Sequence, residues 1–196
     1  MKSVLISIRP KWVEKIASGK KTIEVRKSAP KEVPFKAYIY CTKDKPYLYR
    51  VDDDNNFELT NTLRPKTYEY VKDYNEQNGK VIGEFICDKV ATYPRNYEFG
   101  YEISENEFNE TALTAEQFVD YGKGKTLYGW HISDLKIYDK PKELSEFRPI
   151  CKFEGKDLIC NLCPNHEYNG GLFFECRRKV NRPPQSYMRV KELKEV

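Results

Sequence analysis

The sequence predicts an α+β domain in which short strands outnumber helices and form a small β-barrel. Apolar residues alternate with polar ones in several short segments, which is the pattern of half-buried strands. Start signals for helices are few, and we expect two or three short ones. No segment approaches the roughly 20 consecutive apolar residues of a membrane helix. Together these observations favour a strand-rich mixed fold.

The first elements predicted are a strand, a helix and a second strand. Residues 2–8 alternate, and every second residue from Val4 onward is apolar. Pro10 can open a helix, because the first helical position needs no N–H donor. Gly19 supplies the stop. Residues 20–26 alternate again and predict the second strand.

The remaining chain predicts further strands and one well-marked helix. Thr114 and Gln117 have the spacing of a capping box, and Leu113 can contact Phe118 across it. Further strands are expected at residues 37–42, 80–90, 126–138 and 187–190, and a helical turn at residues 141–147.

We predict one domain over residues 1–196. Relative to a minimal domain it carries insertions at about 44–78 and 97–112, and a cysteine-bearing segment at about 151–180. A turn at residues 52–56 predicts a hairpin tip in the first insertion. These acidic insertions are candidates for contact with a protein partner.

Charge is unevenly distributed along the chain. The formal net charge is +4, but residues 9–45 carry +7, residues 46–120 carry −9 and residues 121–196 carry +5. A polyanion would bind to the two basic segments. The alternative is that these charge blocks are only solvated surface.

The cellular setting expected from the sequence is the cytoplasm, without a membrane partner. The apolar run before Arg9 is too short for a secretory signal. The six cysteines should then be reduced. Cys41 and Cys87 lie in apolar strand segments and are expected to be core thiols.

Residues 19–26 read GKKTIEVR and fit the G-x-K-x-x-E-x-R pattern of the ASCH domain family. The preceding SIRPKWV at residues 7–13 resembles the strand-to-helix entry of that family. LYGWHI at residues 127–132 and RPPQSY at residues 182–187 resemble ASCH proteins of bacteria and their phages. The resemblance covers most of the chain outside the insertions and the cysteine-bearing segment.

The resemblance implies a PUA-like β-barrel whose motif lines a cleft beside the first helix. Members of the family act on RNA or on nucleobases, and some are described as RNA-binding proteins or ribonucleases. One branch deacylates acetylcytidine with a lysine at the place of Lys21. That branch has a threonine at the place of Glu24 and a downstream glutamate, for which Glu116 is the candidate. The departure at Glu24 favours binding of RNA or a modified nucleoside over hydrolysis.

The residues of the motif allow more than one chemistry. Lys21 can bind a phosphate or base carbonyl as a cation, or act as base or nucleophile if its pKa is lowered. Glu24 and Arg26 either form a structural ion pair or contact a base and a phosphate. We take Lys21 and Glu24 as candidate catalytic groups.

Cations and aromatic residues elsewhere complete the expected binding surface. Trp130 and His131 lie on opposite faces of one predicted strand, so Trp130 is either core or a stacking platform, with His131 on the other side. Each of these residues also has a purely structural interpretation. The candidate RNA- or base-binding residues are Lys20, Thr22, Arg26, Arg9, Trp130, His131 and Tyr187.

Cys160 and Cys163 have the spacing of half a zinc knuckle, in a turn-rich segment. Cys176 follows, and His166 or Cys151 completes a hypothetical set of four ligands. Four protein ligands leave no open position, so the predicted zinc would be structural. No other cofactor is indicated.

Overall fold

The computed structural model describes residues 1–43, 78–96, 100–151 and 178–193 in full. Of residues 48–51, 57–60, 166–168 and 174–176 it describes the backbone alone. All statements below refer to these residues.

The elements follow one another in a mixed order. The strands are β1 (Lys2–Ile8), β2 (Ile23–Arg26), β3 (Phe35–Cys41), β4 (Leu48–Val51), β5 (Phe57–Thr60), β6 (Val81–Cys87), β7 (Val90–Tyr93), β8 (Arg95–Asn96), β9 (Gly100–Tyr101), β10 (Leu127–His131), β11 (Ser133–Lys142), β12 (His166–Tyr168), β13 (Phe174–Cys176) and β14 (Tyr187–Val190). The described helices are α1 (Pro10–Ala17), α2 (Glu105–Glu110) and α3 (Ala115–Gly122), with a 3₁₀ turn at Leu144–Glu146.

A five-stranded sheet in the order β11-β6-β3-β1-β14 forms the centre of the molecule. Within it β1 and β3 are parallel, and the other neighbours are antiparallel. The face of Val4 and Ile39 packs against α1 and Trp130. The opposite face, with Leu5 and Tyr38, packs against Phe147. Both faces are therefore buried, which explains why nearly every residue of β1 and β3 is inaccessible.

A second sheet, in the order β2-β10-β7, carries two of the helices. Ile23 and Val25 point from β2 into a cluster with Phe118 of α3 and Phe108 of α2. Glu24 and Arg26 point the other way, because side chains alternate along a strand. The charged half of the motif is thereby held between the second sheet and α1. The alternation predicted for β2 is confirmed.

Two strands predicted as continuous are each divided in two, and that part of the prediction was wrong. Residues 80–90 contain β6 and only the first residue of β7, and residues 126–138 contain the junction between β10 and β11. In both places the chain passes from one sheet to the other. Asp134, just after the second junction, has a positive φ of 46°. Apolar residues continue to alternate through such a junction. The alternation shows which side chains are buried, but it does not show to which sheet a strand belongs.

The α+β class and the few short helices are confirmed. Thr114 caps α3 in the predicted capping box, accepting from the Gln117 amide while the Gln117 side chain accepts from the Thr114 amide. The described strands form separate sheets and do not close into one ladder, so the predicted barrel is not confirmed. None of the described helices is long and apolar enough to cross a lipid bilayer.

Two short strand pairs stand in the segments predicted as additions. β4 and β5 are antiparallel neighbours on either side of residues 52–56, which lie outside the described residues. This pairing agrees with the expected hairpin. β12 and β13 are also antiparallel neighbours. The boundaries of the insertions remain predictions.

A substitution at Gly129 tests the packing of the second sheet. A Cβ atom there would lie 2.3 Å from Tyr93 Oη and 2.7 Å from a carbon of that ring. Because Tyr93 is only 1% exposed, we expect Gly129→Ala to lower the free energy of unfolding by about 1–3 kcal/mol in urea titrations.

Tyr93→Phe is the matched partner of that variant. The Tyr93 hydroxyl is buried and has no hydrogen-bond partner among the described residues. Its removal should leave stability unchanged or higher and should rescue part of the loss in the double variant. A Gly129→Ala protein as stable as wild type would contradict this packing.

Cys41 and Cys87 are buried, as predicted for core thiols.

Burial raises the pKa of the Cys87 thiol from 9.0 to about 12. Above pH 9 the unfolded chain releases this proton while the folded chain keeps it, so stability should fall as pH rises from 9 toward 12. The slope from this group is at most about 1.4 kcal/mol per pH unit. Urea unfolding of wild type and Cys87→Ala between pH 8 and 10 isolates the contribution of this thiol. Parallel dependences of stability on pH in the two proteins would contradict the prediction.

Candidate nucleobase-binding cleft

The turn after α1 places Lys21 inside the molecule. Val13 and Ile16 hold the helix against the central sheet. Gly19 then adopts a φ of +72°, a conformation that favours glycine. The chain reverses so tightly that the Lys21 amide donates to the Lys15 carbonyl at 2.9 Å. The tight turn thus places Lys21 in a buried position, two residues before β2 begins.

The Lys21 ammonium is buried and fully engaged. Its side chain is 2% exposed. It donates 2.7 Å hydrogen bonds to the carbonyl oxygens of Ile23 and Thr111 and lies 3.4 Å from Glu24 Oε2. An ammonium has three protons, so these three acceptors account for all of them. Thr111 directly follows α2, whose last carbonyls carry partial negative charge.

Glu24 lies between two cations. Its Oε2 faces Lys21, and its Oε1 lies 3.0 Å from Arg26 Nε, an ion pair whose angle falls short of a hydrogen bond. A terminal nitrogen of Arg26 donates to the Ser7 carbonyl at 2.5 Å. The charge of Arg26 also acts on the nearby hydroxyl of Tyr121. The network therefore joins β2, the end of β1 and α3.

Burial is the main influence on the titration of Lys21. It lowers the pKa of the ammonium from its ordinary value of 10.5, while the charge of Glu24 opposes the shift and the cations Arg26 and Lys15 add to it. Lys15 itself donates to the Ala112 carbonyl at 3.1 Å. Two lysines thus converge on the short segment between α2 and α3.

The Lys21–Glu24–Arg26 network lies at one side of a cleft of about 580 Å³. The cleft is bounded by α1, β2, α3 and residues 183–185. Ser7 fixes the last wall, because its hydroxyl donates to the Pro184 carbonyl at 2.7 Å. The lining residues are Ser7, Ile8, Arg9, Lys11, Trp12, Lys21, Glu24, Val25, Arg26, Thr42, Leu113, Gln117, Asp120, Tyr121, Pro183, Pro184 and Gln185.

The cleft combines positive charge with aromatic surface. Its lining has four cations and two carboxylates, a formal excess of two positive charges. Trp12 is partly exposed, and Lys11 and Lys15 lie 4.6 and 5.0 Å from its ring centroid. Tyr121, 37% exposed, has Lys27 at 5.0 Å from its ring. Aromatic rings beside cations suit a planar ligand with a negative group attached.

The structure brings four of the predicted residues into this cleft. They are Arg9, Lys21, Glu24 and Arg26. Lys20 and Thr22 are exposed and are not part of its lining. Glu116, the candidate downstream acid, is exposed on the first turn of α3 and also lies outside it, whereas Asp120 lines it.

Trp130, His131 and Tyr187 do not line the cleft. Trp130 is 0% exposed and packs edge-on against Phe35 and Tyr187, with centroids 5.0 and 5.2 Å away. The core interpretation of Trp130 is thus the one that fits its position. His131 does lie on the opposite face, where its Nε2 is 3.7 Å from Glu107 Oε1.

Sequence reasoning missed the contribution of α3 and the role of Trp12. Gln117, Asp120 and Tyr121 line the cleft together, and their spacing of three and four places them on one helix face. That spacing was a usable signal. The sequence did not, however, indicate that this helix lies across from the motif. Trp12 is only partly buried and packs at the edge of the core.

The zinc hypothesis remains a prediction. Cys160 and Cys163 lie outside the described residues. The register of β12 and β13 places His166 opposite Cys176 in the backbone ladder. Among the residues described with side chains, no group of three metal-binding side chains is found.

A family model described as "ASCH domain" matches residues 6–118, more than half of the 196 residues. The chain belongs to the ASCH domain family. The match includes the whole Lys21–Glu24–Arg26 network and Trp12 but ends at residue 118, before Asp120 and Tyr121. Half of α3 and the proline-rich wall of the cleft are therefore features beyond the matched ASCH region.

Solved ASCH structures from Zymomonas mobilis are similar to this chain. One shares 21% identity over 97% of this chain and 89% of its own, with a TM-score of 0.48. A tyrosine-to-phenylalanine mutant of that protein shares 20% identity over 98% of this chain and 92% of its own. A serine-to-alanine mutant shares 19% identity over 97% of this chain and 89% of its own, and both have a TM-score of 0.48. No curated protein matches the sequence.

Lys21→Ala and Lys20→Ala form a matched pair that tests the buried network. Removing the Lys21 ammonium leaves two carbonyls without a donor and Glu24 without one of its cations. We expect a loss of about 3–5 kcal/mol in the free energy of unfolding. Lys20→Ala, on the exposed neighbour, should change it by less than about 0.5 kcal/mol. Equal effects in urea titrations would show that the ammonium is not held as described.

Proposed function

We propose that the cleft binds RNA or a modified nucleobase. The observation that carries this proposal is the buried Lys21–Glu24–Arg26 network on the wall of a cleft that also presents Trp12 and Tyr121. RNA is recognised sequence-specifically where its bases are unpaired, through stacking on aromatic rings and hydrogen bonds to the base edges. The ASCH family is associated with nucleic-acid binding, which agrees with this chemistry.

Each group in the cleft has a role in such binding. Trp12 and Tyr121 offer surfaces for a base, and stacking is worth about 1–3 kcal/mol per base. Glu24, held between two cations, is an ionised acceptor for an exocyclic amine. Arg9 and Lys11 are exposed at the rim of the cleft, where their charges can bind phosphate.

The engagement of Lys21 favours binding over catalysis. All three protons of its ammonium are directed at protein acceptors. A ligand that contacted this ammonium would have to displace one of them. Lys21 is therefore suited to fix the position and charge of Glu24, and Glu24 is the group that contacts the ligand.

Hydrolysis is the second candidate function, and one observation favours it. Burial lowers the pKa of Lys21, which makes the neutral amine more accessible. Glu24, at 3.4 Å, could exchange a proton with that amine. In this alternative, Lys21 and Glu24 would act on an acylated cytidine or on RNA itself.

Mass spectrometry of wild-type protein incubated with acylated cytidines and short RNAs separates the two functions. New product masses would establish an enzyme and identify the bond that is cleaved. Retained binding without products would establish a binding protein.

Binding itself is tested by the fluorescence of Trp12, because the other tryptophan is buried in the core. Lys11→Ser, at the cleft, should weaken RNA binding about threefold to tenfold and reduce the slope of log affinity against log salt by about 0.7. Lys31→Ser is the matched control, since Lys31 is exposed and does not line the cleft. Absence of RNA binding at low salt would refute the proposal.

A further inference from the structure

A second cavity adjoins the cleft. It has a volume of about 550 Å³. It lies on the far side of the chain segments that carry Thr42 and Pro183, and both of these residues line the two cavities. The lining residues of the second cavity are Tyr40, Thr42, Lys43, Gly79, Glu143, Leu144, Ser145, Val180, Asn181 and Pro183. The two cavities are therefore neighbours with Thr42 and Pro183 as a shared wall, and we call the pair the groove.

The lining of the second cavity is polar, and its Lys43 side chain has no ion-pair partner among the described residues. Thr42, Ser145 and Asn181 offer hydroxyl and amide groups that can donate or accept. Glu143 is already paired with Lys80 at 3.3 Å, which offsets its charge. Lys43 is exposed, and its stem covers Gly79, where an added Cβ would lie 2.6 Å from Lys43 Cε.

Three cations whose side chains have no partner within the described ranges follow the groove. Arg9 lines the cleft, Lys43 lines the second cavity, and Arg182 stands between Asn181 and Pro183 in the chain. All three are exposed. Among the described residues, no hydrogen bond or ion pair involves the side chain of any of the three. Their charges are therefore free to meet an external anion.

We propose that the second cavity is a subsite for the nucleotide next to the one in the cleft. The ligand is then a single strand of RNA, and its phosphodiester crosses the groove at Thr42 and Pro183. A free nucleoside would occupy the cleft alone and leave the second cavity empty. A duplex is excluded, because its bases are paired and cannot be splayed into two cavities. This inference rests on the proposed binding of RNA or a nucleobase in the cleft.

The test compares ligands of increasing length. Quenching of Trp12 fluorescence is measured with cytidine 5′-monophosphate and with cytidine RNAs of three and six residues at low salt. We expect the trinucleotide to bind at least about tenfold more tightly than the mononucleotide, because it adds phosphate contacts and a second base.

A pair of lysine variants tests whether the tighter binding of the trinucleotide depends on the second cavity. Lys43→Ser should weaken trinucleotide binding about threefold or more and reduce its salt slope by about 0.7, with mononucleotide binding unchanged. Lys140→Ser is the matched control, since Lys140 is exposed on β11 and lines neither cavity. It should bind both ligands as wild type does.

The outcomes separate the two proposals. If the mononucleotide binds and the trinucleotide binds no better, the second subsite is refuted and the cleft proposal stands. Equal trinucleotide affinity in the Lys43→Ser and Lys140→Ser proteins also refutes the subsite. If no ligand of any length binds, both proposals fail.

Discussion

The burial of one ammonium group organises the candidate site. Lys21 donates to carbonyls of β2 and of the residue after α2, and it faces Glu24. A charge buried without partners would be too costly to keep, so these acceptors must be in place together. The position of β2, the end of α2 and the orientation of Glu24 are thereby coupled. Arg26 extends the coupling to Ser7 at the end of β1 and to Tyr121 of α3.

This arrangement gives the lysine and the glutamate of the motif different tasks. All three residues line the cleft, but Lys21 is the least exposed of them, at 2% against 7% for Glu24 and 6% for Arg26. A carboxylate held by two cations cannot rotate freely, so its orientation is fixed. Under the proposed function, the motif would be an acceptor whose position depends on a buried lysine.

Local signals in the sequence were sufficient to predict most of the helices and strands. The alternation of Val4 and its neighbours, Pro10 at the start of α1 and the Thr114 capping box correspond to β1, α1 and α3 as predicted. These features depend on residues close together in the chain. The division of two predicted strands between sheets, and the placement of Tyr121 opposite the motif, depend on contacts between distant segments. Trp130 illustrates the same limit, because a buried and a ligand-stacking tryptophan have the same local pattern.

The anchoring of the last cleft wall has a consequence for the growing chain. The Ser7 hydroxyl bonds to the Pro184 carbonyl across 177 positions of sequence, and the Ser7 amide donates to Ser186. The central sheet likewise pairs its first strand with β14. During synthesis the segment carrying the motif emerges early but lacks this wall until residue 186 has been added. This wall of the cleft therefore forms later in synthesis than the motif that it faces.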